Sequence, residues 1–542
     1  MKMLFKLVMS LVLLFAAPAV VQAQFNFATN NGAITITKYT GSGGAVTIPS
    51  STNGWPVTSI GANAFASCSS VSGVTIPGSV TNIGARAFYN CIGLSSVTIP
   101  DSVASIGGQA FASCSRLVAI TVGALNPFYS TTNGVLFNKN RTTLIQYPGG
   151  PSGAYTIPNT VTNIGSYAFF YSPYLTGVTI PSSVSSIGGY AFLDAYSLSG
   201  ITIPNSVTDI GAYAFSSCYS LTKATLGDSL RSIGINAFSY CDSLASVAIP
   251  NSVTNIGDEA FYACPDLITL TIGSGVSSIG IQAFTGCNGL PAITVDALNS
   301  FYISVDGVLF NRGQTTLIEY PGAKAGAFTI PNSVTNIVSY AFYRCNNLTS
   351  VIIPNSVTCM GDAVFQYCGS LTSVIIGDGL SSLGLVAFAS CTNLTTVTIP
   401  FGVTNILDSA FNYCINLKQV NLQGNAPGLG GANVFSSVPA TVYYLPGTTG
   451  WGATFDGRPT AQWFLPNPMI LQNSPSYGVQ TNSFGFIISW ATNIPVVVEA
   501  CTDLVNATWS PVATNTLTGG SSYFSDPQWT NYPNRFYRLR SP

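Results

Sequence analysis

The chain is 542 residues long, and only 6% of its residues are charged while 47% are hydrophobic. A chain of this length is usually too long to fold around a single compact core. Its formal net charge of −1 provides no excess of basic residues to bind a phosphate backbone, so no nucleic acid partner is expected. The chain contains no histidine, which excludes Ser–His and Cys–His catalysis and most zinc sites.

Residues 1–23 are predicted to be a signal peptide. Lys2 and Lys6 precede an apolar run over residues 7–21, and Ala23 ends a small-x-small cleavage pattern. A retained membrane anchor is the alternative, but the run is shorter than the roughly 20 residues that a span needs. We therefore predict a secreted, extracellular or cell-surface protein with no membrane span in the mature chain.

Residues 24–45 are predicted to form an N-terminal cap. Ile34 and Ile36 alternate with threonines beside the turn signal Asn31-Gly32, a pattern typical of a β-hairpin. Such a cap would cover the open first coil of the array that follows.

Residues 46–420 repeat a 23-residue unit, Ile-Pro-x-Ser-Val-Thr-x-Ile-Gly-x-x-Ala-Phe-x-x-Cys-x-x-Leu-x-x-Val-x. Its phenylalanine marks thirteen copies: Phe65, Phe88, Phe111, Phe169, Phe192, Phe215, Phe238, Phe261, Phe284, Phe342, Phe365, Phe388 and Phe411. The spacing is 23 except at two breaks of 58, each of which holds 35 additional residues. A fixed period in this range predicts a solenoid, in which each coil buries its apolar face against its neighbours.

The pattern within one unit predicts how a coil is built. Leu-x-x-Val-x-Ile alternates like a β-strand and a proline then ends it, so stacked copies should form a parallel β-sheet. The Ala-Phe-x-x-Cys segment has room for about one helical or 3-10 turn. The predicted fold is a β-rich repeat solenoid with short helical or 3-10 turns.

Two related inserts interrupt the array at residues 123–155 and 296–328. Both contain Gly-Val-Leu-Phe-Asn and then Thr-Thr-Leu-Ile, so we predict a hairpin in each that bulges from the solenoid. Residues 421–465 are predicted to be a C-terminal cap, and residues 466–475 a linker rich in Pro and Asn. Residues 476–542 lack the repeat and are predicted to form a small all-β, sandwich-like module.

Eleven of the 13 cysteines lie three residues after the repeat phenylalanine. They are Cys68, Cys91, Cys114, Cys218, Cys241, Cys264, Cys287, Cys345, Cys368, Cys391 and Cys414. Ser172 and Ala195 replace them in two coils, which favours a small buried volume over a reactive sulfur. A ladder of free thiols is the first interpretation, and disulfides between coils or a metal site are the alternatives.

Two rows of side chains in three consecutive coils form the candidate binding surface. The rows are Thr179, Thr202 and Thr225, at the outward position of each strand, and Tyr167, Tyr190 and Tyr213, two residues before each phenylalanine. Exposed tyrosine suits protein and sugar recognition because a rigid amphipathic ring loses little entropy. A passive β surface and simple coil-to-coil stacking are the alternatives.

The repeat unit resembles the BspA-like class of leucine-rich repeats over residues 34–465. The resemblance implies a leucine-rich repeat fold and a secreted or surface protein that mediates protein–protein or protein–glycan binding or adhesion. We expect no catalysis, no cofactor and no metal, and an extracellular protein or glycan as partner. A carbohydrate-active enzyme or accessory module and a purely structural envelope component are the alternatives. The C-terminal module resembles one found on exported proteins of environmental bacteria, which implies attachment, sorting or stability.

Overall fold

The fold was obtained as a computed structural model, which describes residues 24–472, 474 and 476–541. The predicted signal peptide lies outside the described residues. The chain divides into two compact units, Met1–Phe301 and Tyr302–Pro542, and each is described by itself. Both contain stacked coils of parallel β-structure, which confirms the predicted β-rich solenoid.

Each coil contributes two strands, and these build two parallel ladders. The predicted Val-x-Ile strand forms the long-strand ladder, with its apolar residues inward and the residue between them outward. Six or seven residues after the end of that strand, a two-residue strand such as Asn82–Ile83 pairs with its copy in the next coil and forms the short-strand ladder. This second strand was not predicted from the sequence.

The first unit begins with the predicted hairpin, Phe25–Asn30 and Ala33–Tyr39, closed by left-handed Asn31 and Gly32. Ser51–Thr52 pairs antiparallel with the strand Trp55–Ile60. The long-strand ladder comprises Gly44–Thr47, Val71–Thr75, Ser96–Ile99 and Ala119–Val122, and then Gly153–Thr156, Leu175–Thr179, Gly200–Thr202, Lys223–Thr225, Ser246–Ile249, Thr269–Ile272 and Ile293–Val295. The short-strand ladder comprises Trp55–Ile60, Asn82–Ile83 and Ser105–Ile106, and then Thr143–Gln146, Asn163–Ile164, Ser186–Ile187, Asp209–Ile210, Ser232–Ile233, Asn255–Ile256 and Ser278–Ile279.

The second unit repeats both ladders. Its long-strand ladder comprises Gly326–Thr329, Leu348–Ile353, Ser373–Ile376, Thr396–Ile399, Gln419–Leu422, Thr441–Tyr444 and Arg458–Gln462, with Thr454–Phe455 antiparallel at the end. Its short-strand ladder comprises Thr316–Glu319, Asn336–Ile337 and Cys359–Met360, and then Ser382–Leu383, Asn405–Ile406 and Gly428–Leu429.

The Ala-Phe-x-x-Cys segment forms successive β-turns, so the expected helical or 3-10 turn is wrong for this part of the coil. The residues two before and two after the phenylalanine have positive φ in all thirteen coils, as Asn63 (58°) and Ser67 (59°) do around Phe65. Left-handed residues at this spacing prevent any helix from propagating. Within the described ranges the one helical element is the 3-10 turn Trp529–Asn531.

The repeat phenylalanines stack ring on ring inside the coils, in what we call the ring column. Consecutive ring centroids in the first unit are between 4.6 Å (Phe169–Phe192) and 5.8 Å (Phe261–Phe284) apart. In the second unit the spacing is 4.7 Å at Phe342–Phe365 and 5.3 Å at Phe388–Phe411. All thirteen phenylalanines are at most 2% exposed. Offset stacking adds about 0.5–1.5 kcal/mol per pair to the burial of the rings.

The inserts continue the coils as well as adding a hairpin. In the first, Tyr129–Thr132, Val135–Asn138 and Thr143–Gln146 form an antiparallel set, and the last of them pairs in parallel with the next short strand. Tyr147 then packs against Phe169 with its ring tilted by 30° and the centroids 5.1 Å apart, and it takes the place of a repeat phenylalanine. The second insert matches it, with Tyr302–Val305, Val308–Asn311 and Thr316–Glu319, and with Tyr320 stacked on Phe342 at 4.8 Å.

The C-terminal residues form two antiparallel sheets around a small core, as predicted for a sandwich-like module. One sheet contains Met469–Leu471, Gly478–Gln480, Ser483–Ser489 and Ser521–Asp526, and the other contains Pro495–Cys501, Ser510–Thr516 and Phe536–Arg540. Phe486, Ile488, Val496, Val498, Leu517 and Phe524 fill the core. Glu499 accepts hydrogen bonds from Arg538 and Arg540, both at 2.8 Å.

Val386 supplies a test of the left-handed turns. It lies two residues before Phe388 with a φ of 47°, where a β-branched side chain is strained and asparagine is tolerated. We expect Val386→Asn to raise the free energy of unfolding by about 1 kcal/mol, seen as a higher urea midpoint at unchanged slope.

The matched control is Gln282→Val, which places valine at the same coil position in the first unit, where φ is 57°. This variant should lower the free energy of unfolding by a similar amount. If both variants unfold at the wild-type midpoint, the left-handed positions are not strained by valine.

Candidate functional site: the tyrosine column and the threonine row

Tyr167, Tyr190 and Tyr213, here called the tyrosine column, stack on one another as neighbours in consecutive coils. The ring centroids are 4.8 Å apart for Tyr167–Tyr190 and 4.9 Å for Tyr190–Tyr213, with interplanar angles of 10° and 5°. All three residues are left-handed, with φ between 57° and 63°, because they occupy the position that precedes the phenylalanine by two. The β-turns of the coil therefore fix the backbone conformation of each of these tyrosines.

The stacking determines which part of each ring a partner can reach. Both faces of Tyr190 are covered by the neighbouring rings, and Phe170 packs edge-on against Tyr167 at 5.9 Å. The half-buried rings thus present their edges and hydroxyl groups to solvent. Within the part of the chain that the structure describes, none of these three hydroxyl groups has a hydrogen-bond partner. Partial burial, and then the neighbouring Tyr190, raise the pKa of Tyr167, so its hydroxyl group stays protonated and can donate a hydrogen bond.

Thr179, Thr202 and Thr225, here called the threonine row, are exposed on the outward side of the long-strand ladder. Thr202 pairs directly with Thr225 in the parallel register, so the hydroxyl groups of neighbouring coils are aligned. Elsewhere on the ladder Thr98 and Thr121 join their hydroxyl oxygens at 2.8 Å. In the second unit Ile352 and Ile375 take the equivalent outward position, which makes that part of its surface apolar.

The two rows share their coils but lie on different segments of them. Twelve residues separate Tyr167 from Thr179, and the column belongs to the turns after the short strand, whereas the row belongs to the long strand. The structure thus aligns each row along the coils and brings no tyrosine of the column into contact with a threonine of the row.

A second set of aromatic residues contains a pair, Tyr196 and Tyr219, that the sequence reasoning missed. Tyr196 and Tyr219, each four residues after the repeat phenylalanine, stack at 5.3 Å, and Tyr171 packs edge-on against Tyr196 at 5.6 Å. Their spacing of 23 would have revealed the pair. Tyr196 also hydrogen-bonds Asp194, and burial raises the pKa of both groups, that of Tyr196 to about 12.

The repeat cysteines are free thiols that hydrogen-bond between coils. In ten of the eleven coils the sulfur lies 3.0–3.5 Å from the carbonyl oxygen of the ring-column residue in the preceding coil, as Cys91 does with Phe65 (3.0 Å). The carbonyl oxygen of Phe65 also accepts the backbone amide of Cys68 (3.1 Å), so the thiol adds a second hydrogen bond at a buried acceptor, which explains why a small residue with a donor is favoured there. All 13 cysteines lie in described residues and all are free.

Burial makes the ladder thiols poor acids. It raises the pKa of Cys368 to about 12 and raises that of Cys218 and Cys241 as well. Protonated thiols are weak nucleophiles and weak metal ligands. In residues 24–472, 474 and 476–541, no three His, Cys, Asp or Glu side chains are grouped so that they could hold a metal ion. The same residues include no helix with the length and apolar character needed to cross a membrane.

The coils match a known repeat family. The family described as BspA type leucine rich repeat region matches residues 40–149, 162–291 and 320–439, which is more than half of the chain. The chain belongs to this family. The resemblance inferred from the repeat unit is thereby confirmed, and this BspA-type protein shares its repeat with bacterial leucine-rich repeat proteins of known structure.

The chain is similar to three such solved proteins. A leucine rich cell surface protein from Faecalibacterium prausnitzii is 29% identical over 78% of this chain and 93% of its own, with a TM-score of 0.46. A leucine-rich repeat protein from Bacteroides ovatus is 22% identical over 77% and 92%, with a TM-score of 0.38. The pneumococcal vaccine antigen PcpA is 17% identical over 78% and 85%, with a TM-score of 0.37. Among curated proteins, a sequence search finds no match.

Cys359 provides a test of the thiol ladder because it is exposed on the short-strand ladder, while Cys68 is half-buried and the other eleven cysteines are buried. We expect a thiol reagent to modify Cys359 rapidly in the native protein and the buried thiols only after unfolding. Cys359→Ser should abolish the rapid phase, and Cys391→Ser should leave it unchanged. Rapid modification of several thiols in the native protein would contradict the ladder.

The raised thiol pKa values also predict how stability depends on pH. Thiols of the unfolded chain ionise near the ordinary value of 9.0, whereas buried Cys218, Cys241 and Cys391 stay protonated. The folded state therefore holds more protons above that pH, so this contribution to the free energy of unfolding is complete below pH 9.0 and is lost as the pH rises. Urea midpoints measured from about pH 7 to about pH 10 should fall, and the fall should be smaller in Cys391→Ala.

Proposed function

We propose that this protein is a secreted or cell-surface, non-catalytic binding protein whose partner is an extracellular protein or glycan. The tyrosine column and the threonine row are the proposed contact surface. The observation that carries the proposal is the column itself, in which three aligned tyrosine hydroxyl groups have no partner among the described residues. Hydroxyl groups that stacked rings already hold in place lose few rotamers on binding, so the entropic cost of binding a partner is low.

The chemistry of this surface indicates a polar and uncharged mode of recognition. Phenol and threonine hydroxyl groups both donate and accept hydrogen bonds, so they suit the hydroxyl groups of a glycan and the amide groups of a protein. The covered ring faces do not favour stacking on a sugar ring. Arg86 lies close enough to Tyr167, at one end of the column, for its positive charge to act against the rise in the pKa of that hydroxyl group.

Family membership and the N-terminal sequence support the proposed location. BspA-type repeats occur in bacterial surface proteins, such as the similar cell surface protein from Faecalibacterium prausnitzii. The predicted signal peptide over residues 1–23 would direct the chain to the same side of the membrane. Adhesion to another cell or to an extracellular matrix is the role that follows from these features.

The non-catalytic part of the proposal is supported by the absence of histidine from the sequence and by the burial of the ladder thiols. The chain contains no histidine, and the ladder thiols are buried with raised pKa values. Asp194, which lies close to the second tyrosine set, makes hydrogen bonds with Tyr196 and Ser217. Burial, and then the neighbouring carboxylate of Asp266, raise the pKa of Asp242, but both of these aspartates are exposed to solvent. A glycosidase would need a pair of carboxyl groups about 5–9 Å apart.

Replacing the column tests the proposal. We expect the triple variant Tyr167→Ala, Tyr190→Ala, Tyr213→Ala to weaken binding to its glycan or matrix-protein partner at least tenfold, measured by biolayer interferometry after screening a panel of both. The matched control replaces the same three residues with phenylalanine. It keeps the stack and removes the hydroxyl groups, so an equal loss in both variants assigns the contact to the hydroxyl groups.

Other outcomes would overturn this function. Hydrolysis of a glycan by the purified protein would favour the carbohydrate-active enzyme, and the absence of any binding or activity would leave a structural envelope component. Because the proposed contact is uncharged, affinity should change little with added salt. A steep loss of affinity with salt would place the contact elsewhere on the protein.

A further inference from the structure

Two loops of the first unit expose a leucine and a phenylalanine in the same arrangement. Leu125 and Phe128 in the first loop are 82% and 50% exposed, and Leu298 and Phe301 in the second are 81% and 52% exposed. Large apolar side chains at such exposure are costly in water unless something covers them. The two loops, residues 125–128 and 298–301, are called the Leu-Phe loops below.

A buried asparagine holds each Leu-Phe loop in one conformation. The side-chain amide of Asn126 donates to the carbonyl oxygens of Pro100 (3.0 Å) and Val103 (2.9 Å) in the preceding coil. Asn299 makes the same pair of bonds, to Gly273 (2.9 Å) and Val276 (3.0 Å). Both asparagines are at most 1% exposed. The exposed side chains are therefore presented by a fixed turn at equivalent places of two coils.

The backbone of the first loop has its donors satisfied internally. Asn126 Oδ1 accepts from the amides of Phe128 and Tyr129, both at 2.8 Å, and the amide of Leu125 donates to Asp101 at 3.0 Å. Pro127 has no amide hydrogen. In the second loop the amides of Leu298 and Phe301 donate to the side chains of Asp296 and Asn299. A loop can enter an apolar medium only if its polar backbone groups are paired in this way.

We propose that the two Leu-Phe loops insert their leucine and phenylalanine side chains into a lipid surface, so that the protein binds a membrane peripherally. This differs from the polar contact proposed for the tyrosine column. Side chains as exposed as Leu125 and Leu298 leave water only by entering a partner, which is either a shaped protein pocket or fluid hydrocarbon.

The differences between the loops favour fluid hydrocarbon. The residue between asparagine and phenylalanine is Pro127 in one loop and Ser300 in the other. The carboxylate that accepts from the leucine amide is Asp101, one coil earlier, in the first loop and Asp296, two residues earlier, in the second. A shaped pocket would contact these atoms, whereas hydrocarbon responds to buried apolar area alone. The features common to both loops are the exposed leucine, the exposed phenylalanine and the asparagine brace.

The spacing of the loops and one nearby cation add to the argument. Seven coil steps of about 4.8 Å lie between the loops, which places them roughly 35 Å apart along the first unit. Two shallow insertions at this separation bind one membrane with an affinity well above that of either alone. Exposed Lys139 donates from its backbone to Phe128 and from its side chain to Asn126, so a positive charge borders the first loop at the level of lipid headgroups.

Vesicle binding tests the proposal. The purified protein should sediment with vesicles of phosphatidylcholine and somewhat better with equal parts of phosphatidylcholine and phosphatidylglycerol. Changing Leu125 and Phe128 to Asp should weaken binding about 100-fold, because one loop remains, and changing Leu298 and Phe301 to Asp as well should abolish it. A Phe128→Trp variant should show a shift of its fluorescence to shorter wavelength when vesicles are added, which reports burial of that side chain directly.

The matched control is Ile268→Asp, which removes one exposed apolar side chain (59% exposed) of the same unit outside the Leu-Phe loops and should leave vesicle binding unchanged. Thermal unfolding of each variant checks that the coils remain intact. The proposal is overturned if the wild-type protein ignores both kinds of vesicle, or if the variant with four aspartates binds them as the wild type does. Partner binding by the tyrosine column should be the same in all these variants, which separates the two proposals.

Discussion

The stacking of one aromatic ring from every coil is the constraint on which the rest of each unit depends. A repeat phenylalanine such as Phe215 is fully buried because Phe192 and Phe238 cover its two faces, so no coil could hide its own ring from water. The ends of the stacks therefore need other rings. Tyr39 covers Phe65 at one end in the first unit, and Phe435 covers Phe411 in the second. Interior stability in such a repeat is a property of neighbouring coils rather than of any single one.

The same register produces the candidate surfaces. Once the rings fix a repeat of 23 residues, any residue type that recurs at one position forms a line along the coils. The tyrosine column and the threonine row are lines of this kind, and so is the ladder of thiols bonded to the carbonyl oxygens of the ring residues. The thiol ladder shows that such a line of residues can lie inside the coils and bond them to one another. The tyrosine hydroxyl groups, which the coil itself does not use, are the basis for proposing that the tyrosine column contacts a partner.

The sequence was enough to predict the solenoid, the long strands, the opening hairpin and the alignment of the three tyrosines, because all of these follow from spacing. It could not predict the short-strand ladder, since two residues such as Asn82 and Ile83 show no alternation. The left-handed turns were also hidden, because residues as different as Asn63, Arg86 and Val386 occupy them. Whether the tyrosine faces or edges are accessible depends on ring angles, which no sequence pattern gives.

Tyr147 and Tyr320 show how an insert is accommodated without a new core. Each ring takes a phenylalanine's place in its column, while the strand just before it extends the short-strand ladder. A junction that reproduces the geometry of an ordinary coil makes whole segments interchangeable, and the two inserts recur at an offset of 173 residues. Recombination can then lengthen or shorten the gene by complete blocks, and the extent of the exposed surface becomes a trait that evolution can adjust in discrete steps.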